Sequence, residues 1–378
     1  MQSHRLFSHL LLHHVSGLGP AKQRLARSLN AKSDELIQQP ISFWRQKIRL
    51  PAKGCSQLQQ WQTLGLDSGL AQKALEDLVW LESSDRHHII SPECPDYPKP
   101  LKNIYDPPAI LYLVGQLSCL KRPMLAVVGA RSASRYGLDS AYHLSQKISQ
   151  SGWVVVSGLA KGIDGLAHEA CVQQDLSTVA VMGCGVDVIY PKNHYKLYQD
   201  IPRAGLLVSE FPLGTLPRPG YFPQRNRIIA GLSQGTLVIE AAEKSGSLIT
   251  AQMALEEGRE VFALPGSMFN PMARGGHRLI QQGAKLILDA DDLLMDLSRL
   301  DSTTVTATLD AEDVVPGVLD ASNEANRVFS QLTFDPISFD DLLLLTELAH
   351  ETLQSALLEL EMLQLVAMVP GGICKVIQ

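Results

Sequence analysis

The chain has no C-x-x-C pair. Its six cysteines (Cys55, Cys94, Cys119, Cys171, Cys184 and Cys374) are scattered over 378 residues. This argues against a zinc ribbon and for free thiols in a reducing, cytoplasmic setting. No apolar run approaches the ~18 residues of a membrane helix, so no membrane insertion is expected. Leu10-Leu11-Leu12 is flanked by histidines and followed by no small-residue cleavage site, unlike a signal peptide. The dinucleotide fingerprint is missing too. Gly129-Ala-Arg-Ser-Ala-Ser134 lacks the second and third glycines, which counts against a nicotinamide enzyme. No cofactor and no metal are expected, because the nearest candidate, His168, has no further ligands at suitable spacing.

Basic residues are scarce in one region. Residues 289–378 hold 17 acidic and 3 basic residues, a net −14; residues 121–288 hold 17 basic and 12 acidic, +5; residues 1–120 hold 13 basic and 10 acidic, +3. These sum to the overall −6. A polyanion is attracted to the first two thirds and repelled by the last.

Residues 1–120 read as short helices. Val15-Ser-Gly-Leu-Gly-Pro-Ala21 has the shape of a helix-hairpin-helix turn, whose glycine amides can approach a phosphate; a plain glycine-rich connector looks the same. Prolines at 92, 95, 98, 100, 107 and 108 then punctuate an extended stretch. From Met124 the pattern becomes strand–helix alternation. Strands are expected at Leu125–Val128, Val154–Ser157, Thr178–Met182, Leu206–Ser209, Thr236–Ile239, Val261–Ala263 and Lys285–Leu288. Short apolar strands separated by helices predict an α/β fold with a parallel sheet covered on both faces. Ligands of such sheets bind beyond the carboxyl ends of the strands. Residues 297–325, rich in Asp, Thr and Ser without helical periodicity, read as an acidic flexible linker. Residues 326–378 read as helix, helix and hairpin, a winged-helix pattern.

The most informative stretch is Phe222–Gly266. It places Arg225, Asn226 and Arg227 at the start of an apolar helix, where the macrodipole disfavours cations, so an anion is expected to hold them. Ser245-Gly246-Ser247 opens another helix and offers backbone N–H groups to the same kind of ligand. Phosphate is the expected anion. Gly129 lets the chain turn past a ligand, and Arg131 presents a planar fork of donors. Lys161 lies in a strand-to-helix turn as a ligand candidate, with Asp164 read as the helix cap. Lys192 follows Tyr190-Pro191, either as a ligand or as a plain surface lysine. Phe222 is the expected base-stacking aromatic beside the arginine turn. Glu240 has no second carboxylate spaced to form an acid–base pair, and structural hydrogen bonding is expected of it.

Gly129-Ala-Arg131, SGLAKGID (157–164), AVMGCGVDVIYP (180–191), SEFP (209–212), FPQRNRIIAGLS (222–233), SGSLIT (245–250), GREVFALPG (258–266) and LIQQGAKLI (279–287) occur in that order. The series resembles the DprA/Smf family, the DNA-processing proteins of natural transformation and competence. The family often has serine or threonine where Ala130 stands. The resemblance implies an extended Rossmann-like sheet with an N-terminal SAM/helix-hairpin-helix-like domain and a C-terminal winged helix. The expected divisions are 1–110, 111–296, 297–325 and 326–378. It also implies homodimerisation, single-stranded DNA binding, and loading of the RecA recombinase onto that DNA during recombination. By motif match the DNA pocket would use Arg131, Lys161, Lys192, Phe222, Arg225 and Arg227. The alternative is a nucleotide phosphoribohydrolase-like enzyme on the same sheet. The absent acid–base pair and the charge split favour the non-enzymatic binder.

Overall fold

The structure, a computed structural model, describes residues 2–29, 32–306, 323–332, 337–346, 348–363, 365–369 and 372–375. The chain divides into two compact units, Met1–Thr304 and Val305–Gln378.

Nine strands of the larger unit form one sheet: β1 (His87–Ile90), β2 (Leu111–Gly115), β3 (Met124–Val128), β4 (Val154–Ser157), β5 (Thr178–Val181), β6 (Leu206–Ser209), β7 (Gly235–Val238), β8 (Glu260–Ala263) and β9 (Lys285–Leu286). Their spatial order is β1-β2-β6-β5-β4-β3-β7-β8-β9. The seven strands from β6 to β9 in that order are parallel. Every residue of β3 to β7 is buried, as helices on both faces require. Along β3 the side chains alternate: Met124, Ala126 and Val128 join one core with Ile228, Ile229, Ala251 and Ala254. Leu125 and Val127 join the opposite core with Ala141, Leu144, Ile148 and Ala167.

The sheet departs from the sequence expectation at one edge. β1 and β2 lie in the stretch read as helical, and they pair antiparallel with each other and with β6. His87 and His88 carry no strand-like apolar signal, and the surrounding prolines read as loop. The six helices before β1 share a core with this edge: Leu10, Leu11, Leu12, Trp44 and Leu58 pack with Ile89, Ile110 and Tyr112. The N-terminal leucine run is therefore core. No helix among the described residues is long and apolar enough to cross a membrane, and Cys55, Cys94, Cys119, Cys171 and Cys184 are free thiols.

The helix Ala290–Thr306 corrects the linker reading at its start. Leu293 and Leu297 are fully buried in the sheet core, so packing sustains a helix through the first ten residues of the segment read as flexible. Residues 307–322 lie outside the described residues. The smaller unit holds helices Asn323–Gln331, Phe339–Thr346 and His350–Met362, and the hairpin Val366–Val369/Gly372–Lys375. Ile337 bridges Ile373, which closes the hairpin against a third short segment. The expected second hairpin strand, Lys375–Ile377, begins three residues earlier; residues 376–378 lie outside the described residues.

Candidate functional site

Strand β3 has β4 on one side and β7 on the other. The connections leave β3 in opposite directions, which opens a crevice beyond its carboxyl end. There lies a cleft of about 710 Å³. Its walls come from the turn after β3 (Gly129, Arg131, Ser132), the turn after β4 (Ala160, Asp164), Tyr190, the helix Tyr221–Leu232, and the segment Ala242–Thr250 after β7.

The turn after β4 is built around glycine. Gly162 has φ +80°, and an added Cβ would strike the carbonyl oxygen of Ala130 and approach the Arg131 backbone at 2.7 Å. Gly162→Ala therefore combines a left-handed backbone with a clash. The expected loss is about 1–3 kcal/mol of stability, with displacement of the Gly129–Arg131 turn; urea denaturation checks it, and unchanged stability would refute the steric argument.

Arg131 is exposed at the cleft, with its guanidinium carbon 5.8 Å from the centre of the Phe222 ring. Phe222 is half-buried. Its ring packs over Gly183, where an added Cβ would lie 2.8 Å from Cδ1, and it meets the Tyr190 ring at 5.6 Å. Across the cleft, Ser245 caps the eleven-residue helix Gly246–Glu256 by accepting from the Ser247 amide at 3.3 Å. Asn226 donates to the Gly246 carbonyl at 3.4 Å, joining two walls. Lys244, exposed, precedes that cap. A helix N-terminus, Lys244 and Arg131 around an aromatic ring suit an anion attached to a flat apolar group.

The two arginines of the RNR turn have different surroundings from those expected. The helix starts at Tyr221, so Arg225 and Arg227 lie in its second turn, beyond the strongest macrodipole field. The anions that hold them are the protein's own. Arg225 is 4% exposed. Its Nη1 donates to the carbonyls of Gly158, at 2.6 Å, and Val181, and its charge faces Asp164. Burial lowers its pKa to about 10, against the pull of Asp164. Burial raises Asp164 from the usual carboxylate value, against the pull of Arg225 and the loop amides. Asp164 accepts from the Gly158 amide at 3.2 Å and makes no cap bond; Gly162 holds the N-cap position. Arg225 thus braces the ends of β4 and β5 under the cleft. Arg227 pairs with Glu210 and lies 4.0 Å from Asp106, on a different cavity.

Lys161 and Lys192 are exposed and do not line the cleft, although their neighbours Ala160 and Tyr190 do. His168 is fully buried, with Nε2 accepting from the Leu159 amide at 3.3 Å and Nδ1 2.8 Å from Thr178 Oγ1. Glu240 accepts from the Ser134 amide (2.8 Å), the Ser134 hydroxyl (2.6 Å) and Asn270 (3.0 Å). Asp164 is the one acidic residue lining the cleft, and among the described residues no cluster of ligands suits a metal. Sequence reasoning passed over Lys244, Tyr190 and Ser132. Lys244 adjoins the Ser-Gly-Ser turn and Ser132 follows Arg131, so adjacency was the available signal.

A doubly wound sheet whose strand-end cleft joins a helix N-terminus, exposed cations and an aromatic ring defines a Rossmann-like domain with a cleft of a chemistry suited to an anion. Comparison with known proteins narrows this class. The family DNA recombination-mediator protein A matches residues 88–298, and the DprA winged helix domain matches residues 316–372. The DNA processing protein DprA of Bacillus subtilis is 48% identical over 202 residues, 53% of this chain and 68% of that protein. The crystal structure of DNA processing protein A from Streptococcus pneumoniae superposes with a TM-score of 0.64 at 34% identity, covering 76% of this chain and 97% of that one. DNA processing protein A from Helicobacter pylori, studied for its single-stranded DNA binding mode, gives 0.52 at 30% identity, covering 57% and 96%. The chain belongs to the DprA family of DNA-processing proteins.

Proposed function

We propose that the strand-end cleft binds single-stranded DNA with little sequence preference, and that the chain acts as a recombination mediator. The observation that carries this reading is the juxtaposition of Arg131, Phe222 and the Ser245-capped helix N-terminus in one cleft. A single strand offers what the cleft is built for, phosphates for the cations and amides and unstacked bases for Phe222. A duplex keeps its bases stacked inside. The Helicobacter pylori relative's single-stranded DNA binding mode supports the same ligand. Glu240 is committed to Ser134 and Asn270, and Asp164 is buried beside Arg225, so the phosphoribohydrolase-like reading lacks an available acid–base pair. Lys161 and Lys192, exposed near the rim, extend the electropositive surface. Loading of RecA, homodimerisation and a place in natural transformation in the cytoplasm are what the family resemblance implies, and are part of this proposal.

The winged-helix unit is assigned a protein-contacting role. Its helix His350–Met362 contains Glu351, Glu359 and Glu361 and no lysine or arginine, a surface that duplex phosphate repels. Leu344, Leu358 and Met362 are exposed on the same unit.

Titration with labelled single- and double-stranded oligonucleotides at several salt concentrations tests both readings. Single strands are expected to bind more tightly than duplex. With two to three phosphate contacts, log K should fall against log salt with a slope of roughly −1.4 to −2. A chain ending at Thr306 should bind single strands at least as tightly as the whole chain. Salt-independent binding or equal affinity for duplex would refute the cleft assignment. Loss of binding on truncation, with the larger unit folded, would make the winged helix a DNA-binding part.

A further inference from the structure

The loop after β8 carries two side chains that nothing in the fold accounts for. The Asn270 amide donates to the Ser267 carbonyl at 2.9 Å, which closes a four-residue turn with Met268 and Phe269 at its central positions. Such positions favour Gly, Pro, Asn, Asp or Ser. Phe269 is 86% exposed, more than any other large hydrophobic side chain among the described residues, and Met268 is 73% exposed. A single exposed apolar residue needs no explanation. Two together at the corner of a turn serve neither the turn nor the core.

The turn is tied to the strand-end cleft. Glu240 is 3% exposed, and its Oε1 accepts from both Asn270 Nδ2, at 3.0 Å, and Ser134 Oγ, at 2.6 Å. Asn270 Oδ1 in turn accepts from the Met272 amide at 2.9 Å. Met272 lines the cleft, and its carbonyl accepts from the Ala241 amide at 2.7 Å. One buried carboxylate thus joins the turn that carries Phe269 to the segment that follows Arg131. β7 lies between β3 and β8, and all three are parallel, so the loop leaves the same edge of the sheet as the Arg131 turn. β8 and β3 are two strand spacings apart, about 10 Å.

We infer that Phe269 is a second base-stacking platform, on which the bound single strand lays a further base after leaving the cleft past Met272. The inference rests on the single-strand reading above and extends the path of the strand from β3 toward β8. A phenyl ring on a turn already fixed by hydrogen bonds stacks a base with little further ordering cost. The surrounding charge suits the phosphates of the same strand. From Val261 to Leu288 the chain has three cations, Arg274, Arg278 and Lys285, and no Asp or Glu; Arg274 and Arg278 are exposed.

The test uses the full chain and oligothymidylates of increasing length. Wild-type affinity should rise with length to a plateau. Phe269→Ala should reach its plateau at a shorter length, with affinity there roughly 5- to 150-fold lower, the effect of one lost stacked base. Phe269→Tyr keeps the aromatic face and should restore the wild-type curve; Phe269→Leu keeps only the apolar bulk and should not. Circular dichroism and analytical ultracentrifugation of each free variant should show an unchanged fold and mass. If wild type binds but Phe269→Ala matches it at every length, the second platform alone fails. Rescue by Phe269→Leu, or a loss of affinity that accompanies a change in mass, makes the turn a protein contact and overturns the inference. If wild type binds no strand, the single-strand reading itself fails and the platform with it.

Discussion

Arg131→Ala is expected to weaken single-stranded DNA binding by roughly 10- to 150-fold, the effect of losing about 1.5–3 kcal/mol from a charge-assisted phosphate contact. The side chain is exposed on the turn after β3 and packs on no core, so its removal should leave the fold intact. Arg131→Lys keeps the charge but loses the planar fork, and should recover only part of the affinity. Phe222→Ala should cost about 1–3 kcal/mol, one stacked base, and should act equally on all four bases. Equilibrium binding with circular dichroism of each variant is the check. Normal binding by both variants would place the DNA elsewhere.

Arg225→Ala is expected to act through stability. Its guanidinium bonds the Gly158 and Val181 carbonyls and faces the buried Asp164. Removal leaves a buried carboxylate without its cation and two carbonyls without a donor, a loss of about 3–5 kcal/mol. Gly158 packs its backbone directly against the Arg225 guanidinium and has no side chain to take the guanidinium's place. Urea denaturation should show this loss, with DNA binding falling only as folded protein is lost. A variant that keeps its stability but loses binding would make Arg225 a direct phosphate ligand.

The contrast between the two arginines shows what the sequence could and could not disclose. Both lie in family motifs, and both were expected to meet phosphate. Arg131 follows a strand in a short turn, and such a turn opens at the strand's carboxyl end whatever else the fold does. The surroundings of Arg225 and Arg227 depend on Asp164 and Glu210, which only the folded sheet brings near them. Charge at a helix start was the wrong clue, because the helix begins at Tyr221 and moves both arginines into its second turn. The seven parallel strands were legible because each is a short apolar run bounded by helical sequence. The antiparallel edge was not: His87-His88 opens β1 with no apolar signal, and Leu111-Tyr-Leu-Val114, as apolar as the parallel strands, follows a proline-rich stretch that read as irregular. Likewise, the helix through residues 297–306 is rich in serine and threonine and lacks a clear apolar period in the sequence. Tertiary packing of Leu293 and Leu297 outweighs local propensity there.

The central claim is that a single strand lies in the cleft at the carboxyl ends of β3, β4 and β7. Photo-crosslinking of an oligothymidylate carrying one photoreactive base, followed by peptide mapping of the full chain, tests it most directly. The account predicts crosslinks to Phe222 and Tyr190, abolished by excess unlabelled single strand and strongly reduced in Arg131→Ala. Crosslinks confined to the N-terminal helices or to residues 323–375, with none on the helix Tyr221–Leu232, would contradict it.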